Sequence, residues 1–388
     1  MSTYKIFKSV VAVSTISVFT ALAATAEPVI NVGSVVSATG PAASLGEPEE
    51  KTLRLYVDKI NAAGGVAGRK INLIVYDDGG DANKARTFAT RLIENDKIVA
   101  MVGGSTTGTT MAMMPLFEEA GVPFISMAGA IGVVEPVRKY IFKTPHTDKM
   151  ACQKIFEEMK QRKLTRIGMI SGTDGFGASM REQCIKVASS YGIEIGADET
   201  YGPADSDMTA QLTRIRSKAG IQAIINPGIG QGPAIVTRNY GQLGMTATPL
   251  YQSHGVASKS FIDLAGQAAE GIRLPAPAVL VGNKLPDGAP QKAVVTDYTK
   301  TYEQATKLPV SSFGGYAYNA LLILVDAVKR ADSADPSKIR DEIESTRNFV
   351  GTDGVVTMSP TDHLGLDSSA FRMVEVKHGE WSPVQPGH

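Results

Sequence analysis

Residues 98–126 read IVAMVGGSTTGTTMAMMPLFEEAGVPFIS, and this stretch decides the fold. An apolar run of strand length, Ile98–Val102, precedes a loop of glycine and hydroxyl residues and a helical pattern over Gly108–Glu119. A second apolar run, Val122–Ser126, begins after a glycine. A strand, a helix and a strand joined by short loops predict a βαβ unit, in which the two strands are parallel.

The same alternation extends along the chain on both sides of this unit. Strands are predicted before it at Val29–Val35 and Ile71–Tyr76, with helices at 46–62 and 83–94. The pattern restarts after it with four helix–strand pairs between Lys149 and Gln252. Two consecutive βα layers of similar size predict an α/β fold with two doubly wound lobes.

The last third of the chain has a different pattern. Long helices are predicted at Ala289–Thr306 and Phe313–Arg330, and Asp335-Pro336 indicates the start of a third. Strands are predicted at Val355–Met358 and Phe371–Lys377. This is too little for a third domain, so we expect these elements to return and complete the two lobes.

Composition and the N-terminus point to an exported protein without a nucleic-acid partner. The 388 residues include 39 basic and 39 acidic side chains, which gives no electrostatic case for nucleic acid or an anionic membrane. Lys5 and Lys8 precede an apolar stretch, Val10–Ala24, that is shorter than the ~20 residues of a membrane span. The stretch ends in Ala24-Thr25-Ala26, which predicts a signal peptide over residues 1–26, cleavage near Ala26 and a periplasmic location.

Catalytic and metal-binding patterns are missing from the sequence. The five histidines have no metal-ligand spacing, and there is no GxSxG, P-loop or GxGxxG motif, so no enzyme activity, metal or cofactor is expected. Asp77-Asp78 resembles a metal-binding pair, but we interpret it as solvated carboxylates that cap the next helix. Cys152 and Cys184 are the only cysteines, and the sequence leaves buried thiols and a disulfide between neighbouring helices both open.

Loops of small residues follow the predicted strands at the carboxyl edge, where open α/β sheets bind ligands. Residues 103–110 (GGSTTGTT) join a strand to a helix N-terminus, which suits a carboxylate or another small anion, although Thr106 or Thr107 could simply cap the helix. Ser126–Ala130 lies at the same edge. In the second unit, residues 226–230 and 252–255 hold equivalent positions, and Phe176 either stacks on a ligand or packs between the lobes.

Six ordered motifs then reveal a resemblance to a known family: Thr39-Gly40-Pro41…Gly46, residues 60–69 (INAAGGVAGR), Tyr76-Asp77-Asp78, residues 121–126 (GVPFIS), Phe176-Gly177 and Ala269-Glu270-Gly271. They resemble the leucine/isoleucine/valine-binding family of periplasmic solute-binding proteins, which feed ABC importers of the branched-chain amino acid class. The resemblance covers essentially the whole mature chain. It implies the type I periplasmic binding protein fold, with a ligand enclosed between two lobes.

The resemblance also implies three crossings between the lobes, near His146, near Pro275–Pro277 and near Gly354–Pro360. The expected N-terminal lobe comprises residues 27–145 plus 277–354. The expected C-terminal lobe comprises residues 146–276 plus 355–388.

The ligand site is expected between these lobes. By resemblance, the ligand carboxylate is held in the first lobe by Thr107, Ala128 and Ala130, the last standing where a threonine is common. Phe176 and the loop at Asn226–Gly228 belong to the second lobe. The candidate ligand-binding residues are Leu45, Thr106, Thr107, Ala128, Gly129, Ala130, Phe176, Asn226, Gly228 and His254.

His254 is the main departure from the family pattern. Amino-acid-binding members carry an acidic residue near this position, which neutralises the ligand's α-ammonium. A buried ammonium without a carboxylate partner would cost several kcal/mol. Unless His254 is merely a surface residue, the ligand is therefore expected to be an organic acid without an ammonium, and an aromatic carboxylate fits best.

The sequence thus predicts a non-enzymatic, monomeric solute-binding protein that delivers a small organic acid to the membrane subunits of an ABC permease. A branched-chain amino acid binder is the nearest alternative. A ligand-sensing module for a membrane receptor is another, and an exported enzyme is disfavoured by the missing catalytic set.

Overall fold

The computed structural model describes residues 1–3 and 29–384. The predicted cleavage near Ala26, and all but the first three residues of the predicted signal peptide, lie outside the described residues. Five strands form the first sheet: β1 (Val29–Val36), β2 (Lys70–Asp77), β3 (Ala100–Gly103), β4 (Phe124–Ser126) and β5 (Ile141–Lys143). All of their pairings are parallel, and the strand order is β2-β1-β3-β4-β5.

Nine further strands follow in the described part of the chain: β6 (Arg166–Gly172), β7 (Glu194–Tyr201), β8 (Ala223–Asn226), β9 (Leu250–Gln252), β10 (Arg273–Ala276), β11 (Phe349–Val350), β12 (Val355–Val356), β13 (Arg372–Lys377) and β14 (Glu380–Pro383). The second sheet has the order β14-β13-β10-β9-β8-β6-β7. Its pairings are parallel from β7 to β10, whereas β13 and β14 add to the β10 edge in antiparallel fashion. β11 and β12 form a separate hairpin.

Eleven α-helices connect the strands of the described residues: α1 (Ala43–Ala62), α2 (Ala82–Glu94), α3 (Thr107–Ala120), α4 (Asp148–Gln161), α5 (Gly175–Ala188), α6 (Thr209–Arg216), α7 (Gly232–Gln242), α8 (Lys259–Ala265), α9 (Lys292–Thr306), α10 (Ser312–Ala331) and α11 (Pro336–Glu344). The late helix α10 packs against α1 and so completes the first lobe. Among the described residues, no helix combines the length and apolar character needed to cross a membrane.

The parallel strands of both sheets have the same doubly wound topology, which confirms the predicted fold class. In each sheet the chain first winds outwards and then returns past its first strand, so the switch points lie between β1 and β3 and between β6 and β8. Ligands of such sheets bind outside the carboxyl ends of the strands at these points. The topology therefore predicts a ligand site among the loops that follow β1, β3 and β4 in the first sheet and β6, β8 and β9 in the second.

Several short strands escaped prediction, and one predicted strand has a different role. β5, β10 and β14 have only three or four residues each, and each carries a charged residue or a proline that obscures an apolar pattern. The strand predicted at Val355–Met358 is reduced to the two-residue β12, which pairs with β11.

The segment between β12 and β13 contacts the first lobe before the chain enters the second. The Met358 N–H donates to the Thr346 carbonyl at 3.0 Å, and His363 stacks on Phe142 with ring centroids 4.1 Å apart. Phe371, in contrast, is buried in a core cluster of the second lobe. We therefore propose a first lobe of residues 29–145 plus 277–366, with the third crossing after Leu366 rather than near Gly354–Pro360.

A disulfide joins Cys152 to Cys184 inside the second lobe. It links α4 to α5, and both residues are completely buried among apolar side chains. The structure thus decides between the two states that the sequence left open, since the cysteines are oxidised rather than free thiols.

Candidate functional site

Six of the candidate residues converge on one cavity between the two lobes. Leu45, Thr106, Thr107 and Gly129 line it from the first lobe, and Phe176 and His254 line it from the second. Each of the six lies in a loop, or in the first turn of a helix, that follows the carboxyl end of a strand. This is the edge at which a doubly wound sheet binds its ligand.

The two threonines of the first loop have different roles. Thr106 is the N-cap of α3, and its side-chain oxygen accepts a hydrogen bond from the Thr109 N–H at 3.2 Å. Thr107 is the first residue of the helix, and its buried hydroxyl has no hydrogen-bond partner among the described residues. Thr106 therefore caps the helix, while the Thr107 hydroxyl is available to a ligand.

The loop after β4 contributes one glycine to the cavity wall. Gly129 lines the cavity, whereas Ala128 and Ala130 are buried beside it without lining it. The Ala128 N–H donates to the Ser126 hydroxyl oxygen at 3.1 Å, so this predicted carboxylate donor already has a partner.

The second lobe presents Phe176 from the first turn of α5. The Asp174 side chain caps this helix by accepting hydrogen bonds from the Phe176 N–H at 2.9 Å and the Gly177 N–H at 3.1 Å. Phe176 is therefore held on a helix rather than in the predicted loop, and only 2% of its surface is exposed. Its ring makes an edge contact with His254, with ring centroids 5.4 Å apart.

His254 is buried in the cavity wall and is not a surface residue. Neither of its ring nitrogens has a hydrogen-bond partner among the described residues. Burial, with smaller contributions from Lys143 and His146, lowers the pKa of His254 to about 3. The imidazole is therefore neutral at physiological pH and can donate one hydrogen bond and accept another.

Aromatic packing supports His254 from behind. Phe371 contacts His254 edge to face, with centroids 5.4 Å apart, and stacks on His146 at 4.2 Å. Phe371 precedes the antiparallel strand β13, so nothing in its local sequence connects it to the site. The edge contacts to Phe176 and Phe371 restrict how the imidazole can rotate in the closed arrangement.

Asn226 and Gly228 lie near the cavity but do not line it. The Asn226 side-chain amide donates to the Ile170 carbonyl and to the Tyr201 hydroxyl, the latter at 3.2 Å. The Gly228 carbonyl accepts a hydrogen bond from the Ser253 hydroxyl at 2.6 Å. Both residues therefore hold the second-lobe loops together, and Ile229 is the residue of this loop that reaches the cavity.

Seven lining residues were not among the candidates. Four of them lie in the loops that the sequence placed at the ligand-binding edge, Ser105, Met127, Ile229 and Gly255, whereas Pro145, Phe313 and Tyr316 lie outside those loops. Tyr316 is the most informative of them because its buried hydroxyl has no partner among the described residues. It lies on α10, far along the chain from the loops that carry the other polar groups. The local signal is the pair Gly314-Gly315 in the first turn of α10, where Gly315 lets the helix approach Thr352 closely.

Buried carboxyl groups lie behind the first-lobe wall. The Ser105 hydroxyl donates to the Glu49 carboxyl, and the Ser37 N–H donates to the Ser105 oxygen at 2.9 Å. Burial raises the pKa of Glu49 well above its usual range and that of Asp353 to about 8. Burial therefore disfavours the charged form of both carboxyl groups.

The interpretation of Asp77-Asp78 as solvated helix caps is wrong. Asp78 is completely buried and accepts a hydrogen bond from the Ser37 hydroxyl at 2.6 Å, and Asp77 binds Thr39. The cap of α2 is Asp81, whose side chain accepts from the first-turn N–H groups. Within the described ranges, no three His, Cys, Asp or Glu side chains form a group that could hold a metal ion.

The cavity is nearly closed in this conformation. Its volume is ≈ 20 Å³, about enough for one water molecule and far below the ~150 Å³ that holds benzene. A wider space of ≈ 430 Å³ opens at the rim of the cleft and shares Thr106 and Ile229 with the cavity. A ligand larger than a water molecule therefore does not fit the cavity in this conformation.

The described part of the chain matches known proteins along most of its length. Residues 29–380 match the family described as periplasmic binding protein. The leucine-, isoleucine-, valine-, threonine- and alanine-binding protein of Pseudomonas aeruginosa is 25% identical over 334 residues, which cover 85% of this chain and 83% of that protein.

Solved structures show the same fold. An extracellular ligand-binding receptor from Rhodopseudomonas palustris HaA2 superimposes with a TM-score of 0.86 at 25% identity, covering 92% of this chain and all of that one. A solute-binding protein of an ABC transporter from Rhodopseudomonas palustris BisB5, in complex with 3,4-dihydroxybenzoic acid, has a TM-score of 0.79 at 20% identity. That match covers 92% of this chain and 96% of the other.

Proposed function

The chain belongs to the leucine/isoleucine/valine-binding family of type I periplasmic binding proteins, the solute-binding proteins of ABC transporters, and from this premise we propose that it binds a small organic acid, best an aromatic carboxylate, between its lobes. The bound acid is delivered to the membrane subunits of an ABC permease. Members of this family are binding proteins rather than enzymes, and its characterised relatives are periplasmic.

One observation carries the proposal: three buried polar groups without partners surround the same cavity. They are the Thr107 hydroxyl, the His254 imidazole and the Tyr316 hydroxyl, and they come from different elements of both lobes. A buried polar group without a hydrogen bond costs about 1–3 kcal/mol, so this arrangement favours a ligand that supplies the missing partners. Thr107 lies at a helix N-terminus, which suits the ligand carboxylate. His254 and Tyr316 suit polar groups at the end of the ligand that is opposite the carboxylate.

The chemistry of the wall favours an aromatic acid over an amino acid. Among the described residues that line the cavity, none is acidic, so an α-ammonium would lack a charged partner. Phe176, Phe313 and Tyr316 offer ring faces and edges for a planar ligand. The dihydroxybenzoate complex of the Rhodopseudomonas palustris BisB5 protein supports this reading by analogy.

A branched-chain amino acid is the second candidate, and the name of the Pseudomonas aeruginosa relative favours it. Glu49 is the acidic group behind Ser105 that an ammonium would have to recruit. Because burial raises the pKa of Glu49, the ionised form that would pair with an ammonium is disfavoured in the interior.

A ligand panel tests the proposed class directly. At ~100 times its dissociation constant, a ligand adds about 2.7 kcal/mol to the free energy of unfolding. We expect benzoate and hydroxylated benzoates to raise the melting temperature and leucine and valine to leave it unchanged, with isothermal titration calorimetry confirming each affinity. Tight leucine binding without a response to any benzoate would reject the proposal in favour of the amino-acid alternative.

Thr107→Val tests the carboxylate contact. Loss of a hydrogen bond to a charged group should weaken binding of the acid by about 1.5–3 kcal/mol, measured by calorimetry. Thr209→Val is the matched control, because Thr209 is also the first residue of a helix, α6, but lies outside the cavity. Equal affinities for the two variants would show that the Thr107 hydroxyl does not contact the ligand.

A further inference from the structure

A buried lysine lies directly behind the cavity wall. Lys143 ends β5 next to the first crossing, and its side chain is completely inaccessible to solvent. Its ammonium donates hydrogen bonds to the carbonyls of Gly129 at 3.0 Å, Ala130 at 3.4 Å and His146 at 3.5 Å. The ammonium therefore holds the loop that forms part of the cavity wall together with the first crossing.

These contacts orient the loop. In a trans peptide the C=O and the following N–H point in opposite directions, so the Gly129 carbonyl that faces Lys143 turns the Ala130 N–H away from it. The same carbonyl also accepts a hydrogen bond from the Asp148 N–H at 3.0 Å. Gly129 thus has its carbonyl anchored at the back of the wall while the residue itself lines the cavity.

The charged and titratable groups around Lys143 come from four directions. Asp148 at the start of α4 attracts it through space, but its carboxylate accepts hydrogen bonds from the Ile131 and Lys149 N–H groups and from Ser179. No ion pair within 4.0 Å joins Asp148 to Lys143 among the described contacts.

The remaining groups are histidines. His146 belongs to the first crossing and His254 to the second lobe, and the pKa of each is lowered to about 3, chiefly by burial and in part by Lys143. On the side of the third crossing, the His363 carbonyl accepts from the Lys143 N–H at 3.2 Å, and the His363 ring binds Glu344. Lys143 therefore acts on one residue of the cavity wall, His254, and its ammonium binds the carbonyl of a second, Gly129.

We propose that Lys143 is a positioning residue for the ligand carboxylate: its ammonium anchors the Gly129–Ala130 loop and supplies the positive charge behind it, so that binding of an acid is coupled to protonation of Lys143. The inference rests on the proposed function, since it requires an anion in the cavity. It explains how a wall without a cationic side chain on its surface can retain a carboxylate.

The direction of the pH dependence follows from burial. Burial lowers the pKa of Lys143 to about 7, with Asp148 acting in the opposite direction, so the free protein loses this proton as the pH rises above neutrality. A bound anion raises the pKa of Lys143. Lys143 thus has a lower pKa in the free protein than in the complex. Between these two pKa values, the affinity for the anion falls by up to ~10-fold for each unit of pH increase, whereas below pH 7 the affinity is constant.

Calorimetry with benzoate between pH 6 and 8.5 tests the proposal, because benzoate stays ionised throughout. The wild type should bind progressively more weakly above pH 7 and take up protons on binding. Lys143→Met should bind at least ~10-fold more weakly at pH 6.5, by loss of one buried charge, and its affinity should not change between pH 6 and 7.5. Lys143→Arg should retain affinity at pH 6.5 and also lose the pH dependence below pH 7.5, because arginine does not titrate there. Asp353, whose pKa burial raises to about 8, adds its own pH dependence above pH 7.5 in all of these proteins.

Lys186→Met, which removes an exposed lysine of α5, is the matched control and should behave like the wild type. Circular dichroism establishes that each variant is folded, and Lys143→Arg keeps the test decisive where Lys143→Met does not fold. A wild-type affinity that is constant from pH 6 to 7.5, or a pH dependence below pH 7.5 that survives in Lys143→Arg, would overturn the proposal.

Failure of the proposed function gives a different result. If benzoate does not bind the wild type at any pH, the aromatic-acid proposal fails, and leucine becomes the probe, because its carboxylate also needs the loop. Leucine binding that weakens above pH 7 in the wild type but not in Lys143→Arg would support the role of Lys143. Leucine binding that is independent of pH, or absent, would reject that role.

Discussion

Replacing Cys152 and Cys184 together by alanine is expected to lower the free energy of unfolding by about 3–4 kcal/mol, the largest stability effect that we predict for two substitutions. The disulfide closes a loop with a sequence separation of 32 residues, and loop-closure entropy gives a cost of this order. Both cysteines are fully buried, so the alanines also remove packing from the core of the second lobe.

Urea denaturation of the wild type and the double variant, each with and without reductant, measures the effect. Reductant should destabilise the wild type towards the double variant and leave the double variant unchanged. Because α5 carries Phe176 in its first turn, the double variant should also bind the ligand more weakly. Identical unfolding free energies for the two proteins would show that α4 and α5 are held together without the bond.

Gly129→Ala is expected to give the second large effect, on binding rather than on folding. A Cβ at this position would lie 2.7 Å from Cε2 of Phe176 and 3.0 Å from Nε2 of His254, both in the opposite lobe. The φ angle of Gly129 lies outside the left-handed region, so alanine fits the loop itself. Overpacking of this kind costs about 1–3 kcal/mol, which should weaken ligand binding by roughly 5- to 150-fold.

The reason lies in the equilibrium between open and closed forms. The clash exists only when the lobes are closed, and a ligand that contacts both lobes depends on closure. Calorimetry gives the affinity, and small-angle X-ray scattering of the ligand-saturated protein should show a larger radius for the variant. Gly132→Ala is the control, because a Cβ there has no neighbour within 4 Å. Equal affinities for the two alanine variants would mean that the lobes close differently around the ligand.

The pattern of residues 98–126 was sufficient to predict a βαβ unit, and its repetition was sufficient to predict two doubly wound lobes. Both predictions are confirmed, because strand and helix periods reflect burial of one face or both faces of an element, which is a local property. The short strands β5, β10 and β14 escaped because three or four residues with a charge or a proline carry no period. Lys143 was overlooked for the same reason, since it belongs to β5.

The candidate site was predicted in part, and its ligand-binding roles stay predictions. Thr106 and Thr107 were recognised as a loop that either caps a helix or binds an anion, but only hydrogen-bond geometry separates the two roles. Asn226 was placed at the right edge of the sheet, yet its amide turns inwards to Ile170 and Tyr201. The direction of a side chain at a strand end depends on its neighbours in space, which a single sequence does not specify.

The sequence by itself determined the fold class, the family and the small-residue loops at the carboxyl edges, and it led to the prediction that His254 stands where amino-acid-binding members carry an acidic residue. Only the tertiary structure decided the burial of His254 and Lys143, the disulfide, and the contribution of Tyr316 from a helix near the end of the chain. The physical reason is range: periodicity and capping act over a few residues, whereas burial, partner choice and pKa arise where elements distant in sequence pack together.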